Sequence, residues 1–369
     1  MSASVLSQPY NRNFNFSAGP CTLPVEVLEE ARDGIMNWNG SGASVMELSH
    51  RSKAFEGILA EAMQDARDLL AIPDNYKVVF LQGGATMQFT MFPMVMRPSG
   101  SGDFVVTGTW GKKALDAAKL GGGEANVIFD AKSSNWDHAP RMSELNASPD
   151  AKFVHFTSNE TIQGVDFQQD PEAGDVRWVC DMSSNIMSRP IDVSKYAYIY
   201  AGAQKNMGPA GATLLIVRDD VIADCPTGLP PAMDLKLQVD NDGMYNTPPC
   251  WSIYICGLVY KWLKRNGGLE AMAKTNEAKA KLIYDAIDAT DFYRGHAQLD
   301  SRSLMNIAFN LPSDELLKMF LAEAKAEGMV ELQGHRLVGG CRASIYNAFP
   351  TDGAKALADF MTAFAAKNG

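Results

Sequence analysis

The chain has 369 residues, 46% hydrophobic and 21% charged, with 33 Lys and Arg against 43 Asp and Glu for a formal net charge of −10. That length suits two domains, or one large and one small, and the composition is that of an ordinary globular protein. The basic residues are scattered, which argues against the continuous basic stripe that nucleic acid requires but leaves room for a local pocket that takes a small anion.

Residues 1–15 are mostly polar at first and read as an N-terminal arm. A helix is expected from Pro24, with Leu28, Ala31, Ile35 and Trp38 at helical spacing, broken by the Asn-Gly-Ser-Gly run 39–42. A second helix carries Phe55, Leu59, Ala62, Ala66 and Leu69 on one face and ends before Pro73. Short apolar runs then follow at 77–81, 104–107, 125–129, 153–157, 177–180, 198–201 and 213–217. Most have the nearly continuous apolar character of strands buried on both faces. Strands alternating with helices specify an α/β fold with a mainly parallel sheet flanked by helices. After Pro248-Pro249 the pattern changes to long helices at 251–265, 270–289, 314–327 and from 351, with strands near 304–309 and 343–347. This is a smaller α+β unit. The expected division is an arm over 1–15, a large domain over 16–266 and a small C-terminal domain over 267–369.

The six cysteines form no C-x-x-C pair, and none of the five histidines groups with them, so no metal site is expected. Scattered cysteines, no signal-type apolar run at the start, and no stretch of about 18 apolar residues give a reduced, cytoplasmic protein with no membrane span.

Residues 200–211 read YAGAQKNMGPAG, a buried strand running into a Gly- and Pro-rich turn. Lys205 in that turn is either a solvated loop lysine or a lysine that loses its proton and attacks an aldehyde. Asp181 ends the strand RWVCD, 24 residues earlier. A carboxylate there either caps the next turn or keeps a pyridine nitrogen protonated. The run LQGGATMQF at 81–89 passes from strand through a glycine turn to a helix, and its backbone N–H groups suit a phosphate. Trp110 follows a strand between glycines and is either a core residue or a ring that stacks on a flat ligand. His50-Arg51, His335-Arg336 and Arg342 are surface ion-pair partners or receptors for a substrate with two anionic ends.

Seven segments together resemble the phosphoserine aminotransferase family of fold-type I pyridoxal-phosphate enzymes, within the class V aminotransferases. They are NFSAGP (15–20), ELSHRSKAF (47–55), LQGGATMQF, NETIQGVDF (159–167), YAGAQKNMGPAG, NDGMYNTPP (241–249) and HRLVGGCRASIYNA (335–348). The resemblance implies pyridoxal 5′-phosphate as cofactor and reversible amino transfer between O-phosphoserine and 2-oxoglutarate, in serine biosynthesis. By the same resemblance Lys205 is the Schiff-base lysine and proton shuttle, Asp181 pairs with the ring nitrogen and Trp110 stacks on the ring. Ala85, Thr86 and Gln204 hold the cofactor phosphate, and Thr161 hydrogen-bonds near the ring. Asn246 and Thr247 reach that phosphate from the neighbouring subunit, which implies a homodimer. Arg342 anchors the substrate α-carboxylate, and His50, Arg51, His335 and Arg336 take the second anionic end. Part of the family carries Arg where this chain has Thr86, which shifts phosphate binding onto Arg51 and Arg336. Use of 4-phosphohydroxythreonine, in pyridoxine biosynthesis, is left open. Two readings compete with this one: a desulfurase using Cys341 as nucleophile, and a non-enzymatic phosphometabolite-binding protein.

Overall fold

The structure, a computed structural model, describes residues 8–96, 100–122, 124–172 and 174–369. Seven strands make the central sheet: β1 (Tyr76–Leu81), β2 (Ser101–Val106), β3 (Glu124–Asp130), β4 (Ala151–Thr157), β5 (Trp178–Asp181), β6 (Tyr198–Gly202) and β7 (Thr213–Arg218). Their order is β1-β7-β6-β5-β4-β2-β3. β7 runs antiparallel to both neighbours, and every other pair is parallel.

Side chains alternate across the strands and divide between the two faces of the sheet, which together form the first core. Val79, Leu81, Phe104, Val179, Tyr198 and Leu215 pack against α3 (Gly84–Met96) and α4 (Thr109–Leu120). Val78, Phe80, Phe156, Ile199 and Ile216 pack against α1 (Val25–Met36), α2 (Lys53–Leu70) and α5 (Cys250–Arg265). Burial on both faces explains why these strands read as unbroken apolar runs.

Two local expectations are corrected. The run 125–129 looks like a buried strand, yet β3 is an edge that pairs only with β2, and Val127 is 43% exposed. In α1 the buried stripe runs through Val27, Ala31 and Gly34, while Leu28 points outward. Gly34 sets that rotation, because a Cβ there would lie 2.8 Å from the Tyr254 hydroxyl of α5. Helix α1 stops at Met36, so Trp38 falls in a separate 3-10 turn.

A second core gathers Phe16, Ile283, Ile307, Phe309, Phe320, Ala343, Leu357 and Phe364. Its antiparallel sheet runs β8 (Arg294–Gly295), β9 (Asn306–Asn310), β10 (Cys341–Ser344). Helices α6 (Gly268–Asp288), α7 (Asp314–Ala326) and α8 (Thr351–Asn368) cover it. Helix α6 belongs to both cores: Leu269 and Met272 join the first, and Ala280 onward the second. Phe14–Asn15 pairs in parallel with Met329–Val330, so this end of the expected arm is tied to the second core. Residues 1–7 of the arm lie outside the described residues. Among the described residues no helix is long and apolar enough to cross a membrane.

Candidate active site

Ligand sites in open α/β sheets form beyond the C-terminal ends of the strands, and the candidate residues gather there. Lys205 lies in the turn after β6. Its Nζ donates to Thr161 Oγ1 at 2.6 Å and sits 4.9 Å from the centroid of the Trp110 ring. Burial pushes the Lys205 pKa down to about 8; the carboxylates of Asp181 and Glu160 oppose that fall, and the cations Arg342 and Lys113 add to it. Asp181 closes β5, is 3% exposed and is in register with Thr157 and Tyr200. Ser183 N–H donates to its Oδ1 at 2.9 Å. Burial raises the Asp181 pKa, while Lys205 and the Ser183 hydrogen bonds restrain the rise.

Two helix N-termini face this region, and they differ. Helix α3 begins at Gly84, after Gly83, with φ of 62° and 84°, a conformation that residues with a Cβ avoid. A Cβ on Gly83 would also fall 2.5 Å from Met87 Cβ. This turn presents the backbone around Ala85 and Thr86, with no acidic residue in the first turn. The start of α4 is filled instead. Glu160, fully buried, accepts from Trp110 N–H at 2.9 Å and Gly111 N–H at 2.7 Å. Gln163 accepts from Thr109 N–H at 3.3 Å and donates to its hydroxyl at 2.8 Å. Gly108 makes the room, since a Cβ there would lie 2.6 Å from Glu160 Cδ. A carboxylate therefore occupies the anion position of α4, and an incoming phosphate is left with α3. Burial outweighs the two N–H donors and pushes the Glu160 pKa up to about 7.

Glu160 was not among the candidates, although it lies inside the NETIQGVDF run next to Thr161. Trp110 Nε1, Thr107 Oγ1 and Thr157 Oγ1 are buried without a hydrogen-bond partner, at and just beyond the ends of β2 and β4. A flat, polar aromatic ligand beside Lys205 and Asp181 would meet this unspent hydrogen-bonding capacity. The residues present fit a pyridoxal group.

The substrate side is cationic. Arg342, on β10, donates from Nη1 to Thr161 O at 3.4 Å, so Thr161 touches both Arg342 and Lys205. His335 and Arg336 sit in a loop closed by Gly334 N–H to Gly340 O at 2.8 Å. Burial, with Arg342, Arg336 and Lys113 nearby, lowers the His335 pKa. Lys113, also not among the candidates, places Nζ 4.4 Å from the Trp110 ring centroid. Gln204 is half-buried beside Gly202, and its carbonyl accepts from Cys21 N–H at 3.2 Å.

The single chain does not join the remaining candidates to this group. His50 Nε2 is buried without a partner and Arg51 is exposed; neither is hydrogen-bonded to the residues around Lys205. Asn246 and Thr247 are exposed, with Thr247 O accepting from Gln82 Nε2 at 2.8 Å just before the α3 turn. Cys341, the nucleophile of the desulfurase reading, is fully buried within β10, and burial raises its pKa.

The family model of aminotransferase class-V matches residues 13–357. The chain belongs to the class-V aminotransferase family. It is 50% identical over 358 residues to the phosphoserine aminotransferase of Laribacter hongkongensis (strain HLHK9), covering 96% of this chain and 99% of that one. A solved phosphoserine aminotransferase, studied for radiation damage of its Schiff base, is 46% identical with a TM-score of 0.94, covering 98% of this chain and 100% of that one. The PLP-bound phosphoserine aminotransferase of Trichomonas vaginalis is 38% identical with a TM-score of 0.90, covering 95% and 99%. The architecture is accordingly that of the fold-type I aminotransferases, as the resemblance implied.

Proposed function

We propose that this aminotransferase moves an amino group reversibly between O-phospho-L-serine and 2-oxoglutarate, giving 3-phosphohydroxypyruvate and L-glutamate. One observation carries the reading: Lys205, Thr161, Asp181 and Trp110 meet beside the cations of Arg342 and the His335-Arg336 loop. Pyridoxal 5′-phosphate is the cofactor, and when bound it supplies the electron sink that stabilises negative charge on the substrate α-carbon.

Lys205 holds the cofactor through Nζ and, once free, carries a proton to and from the substrate α-carbon on that same atom. Burial makes the neutral amine accessible near pH 8, which suits both tasks. Asp181 pairs with the ring nitrogen, Trp110 stacks on the ring, and Thr161 orients Lys205. The first turn of α3, with Ala85 and Thr86, takes the cofactor phosphate together with Gln204.

Arg342 binds the α-carboxylate in bidentate fashion. His335 and Arg336, with His50 and Arg51, receive the substrate phosphate or the glutamate side chain. His50 and Arg51 make no hydrogen bond to the residues around Lys205 within one chain, which suits a homodimer whose second copy brings them, with Asn246 and Thr247, to the site. 4-Phosphohydroxythreonine presents the same two anionic ends and is a candidate second substrate. Six unpaired cysteines suit a reducing compartment such as the cytoplasm.

The test is a half-reaction. Holoenzyme is mixed with phosphoserine and, separately, with serine or alanine, and loss of the cofactor's yellow absorbance is followed. Fast loss with phosphoserine alone is expected; equal rates with serine would overturn the substrate assignment.

A further inference from the structure

We propose that Lys113 binds the substrate phosphate and sets the preference for a phosphorylated amino acid, an inference that rests on the substrate reading above. Lys113 follows Trp110 by three residues on α4, so the two side chains share a helix face. Its Nζ lies 4.4 Å from the indole centroid, and Lys205 Nζ lies 4.9 Å from that same centroid. The two ammonium groups are therefore separated by no more than the sum of those distances. That is within reach of a single small substrate held at Lys205.

The neighbouring lysine gives the contrast. Lys112 spends its charge on Asp116 at 2.6 Å, one turn along the exposed face of α4. Among the described residues no carboxylate is in ion-pair contact with Lys113, nor with Arg336 or Arg342. Instead the charge of Lys113 is felt at Lys205 and at His335, from α4 on one side and the 334–340 loop on the other. In a chain of net charge −10, a group of unneutralised cations around one site is a receptor for an anion. The first turn of α3, by contrast, offers Gly84, Ala85 and Thr86, none of them charged. A substrate phosphate, at about −1.5 to −2 near neutral pH, has to find its counter-charge elsewhere, and Lys113 is exposed and free to reach it. Serine and alanine have no group for Lys113 to hold.

The experiment compares holoenzymes of the wild type, Lys113→Ala and Lys113→Arg. KM and kcat are measured for phosphoserine, inhibition constants for inorganic phosphate, and cofactor affinity by quenching of tryptophan fluorescence. Loss of Lys113 should raise the phosphoserine KM about tenfold, equivalent to about 1.4 kcal/mol. Phosphate inhibition should weaken to a similar degree, with kcat and cofactor affinity within about twofold of wild type. Lys113→Arg should recover most of the loss. An unchanged phosphoserine KM in Lys113→Ala, with the wild type still strongly preferring phosphoserine to serine, would overturn the inference alone. A fall in kcat or in cofactor affinity without a KM effect would also overturn it, showing that Lys113 only steadies the indole. A wild type that does not distinguish phosphoserine from serine would sink the substrate reading and this inference together.

Discussion

Replacing Glu160 with Gln tests the electrostatics of the site without changing its shape. In the folded protein burial raises the Glu160 pKa from 4.5 to about 7. The unfolded chain releases this proton near the lower value and the folded chain near the higher one. Between them the folded state binds the proton more tightly. The contribution of Glu160 to stability is thus fully present below about pH 4.5 and is lost as pH rises through about 7. At about 1.36 kcal/mol per pH unit, the loss between pH 5 and pH 8 is about 2–3 kcal/mol. Gln cannot ionise, so the variant escapes that loss. It carries a separate, pH-independent cost, because its amide NH2 must face one of the N–H groups of Trp110 and Gly111, at about 1–3 kcal/mol for a buried donor left unpaired. Urea unfolding of both proteins at pH 5 and pH 8 separates the two effects. The variant should be the less stable at pH 5 and should gain about 2–3 kcal/mol on the wild type by pH 8. Parallel pH dependences would refute the claim that Glu160 titrates in the folded state.

Apo-protein should capture an added aromatic aldehyde at Lys205 at a rate that climbs with pH through about 8, as burial frees the amine; a rate still climbing steadily beyond pH 10 would contradict this. Arg51→Ala should raise the phosphoserine KM about tenfold while leaving kcat nearly intact, and an unchanged KM would remove Arg51 from the site. Lys279, fully buried, donates to the carbonyls of Ile345, Tyr346, Asn347 and Phe349 at 3.0, 2.7, 3.4 and 3.2 Å. Lys279→Met leaves those acceptors unpaired and should cost about 3 kcal/mol of stability in urea unfolding; an unmoved midpoint would show the four bonds to be dispensable.

Most strands were legible to within a residue or two, because burial on both faces writes itself as a continuous apolar run. Edge position does not: residues 125–129 are as apolar as their neighbours, and only the strand order reveals that β3 has one partner. The rotation of α1 was hidden for a related reason, since Gly34 meets Tyr254 only after more than 200 residues of intervening chain. In the site, Lys205 and Asp181 stood at strand ends with two readings each, and it was the family resemblance that gave them roles. Glu160 was missed, because a Glu in a loop reads as solvated. Its burial depends on the start of a helix 50 residues earlier. Lys113 was invisible on the same grounds, an ordinary lysine on an amphipathic helix until the indole beneath it is placed.

The charges of the site divide by depth, and this has a consequence for how each ligand is held. The acids, Asp181 and Glu160, are 3% and 0% exposed, so salt in the solvent screens them little. Among the cations at the mouth, Lys113 and Arg336 are exposed and Arg342 is half-buried. Their pull on an incoming anion works through solvent and falls as the Debye length shrinks, from about 10 Å at 0.1 M to about 3 Å at 1 M salt. In the proposed function the cofactor would be held by a covalent lysine, a buried carboxylate and backbone N–H groups, all shielded from that change. Raising the salt with a non-coordinating ion should therefore raise the phosphoserine KM several-fold while cofactor occupancy stays constant. A parallel loss of both would mean that one set of surface charges holds cofactor and substrate alike, contrary to the division by depth.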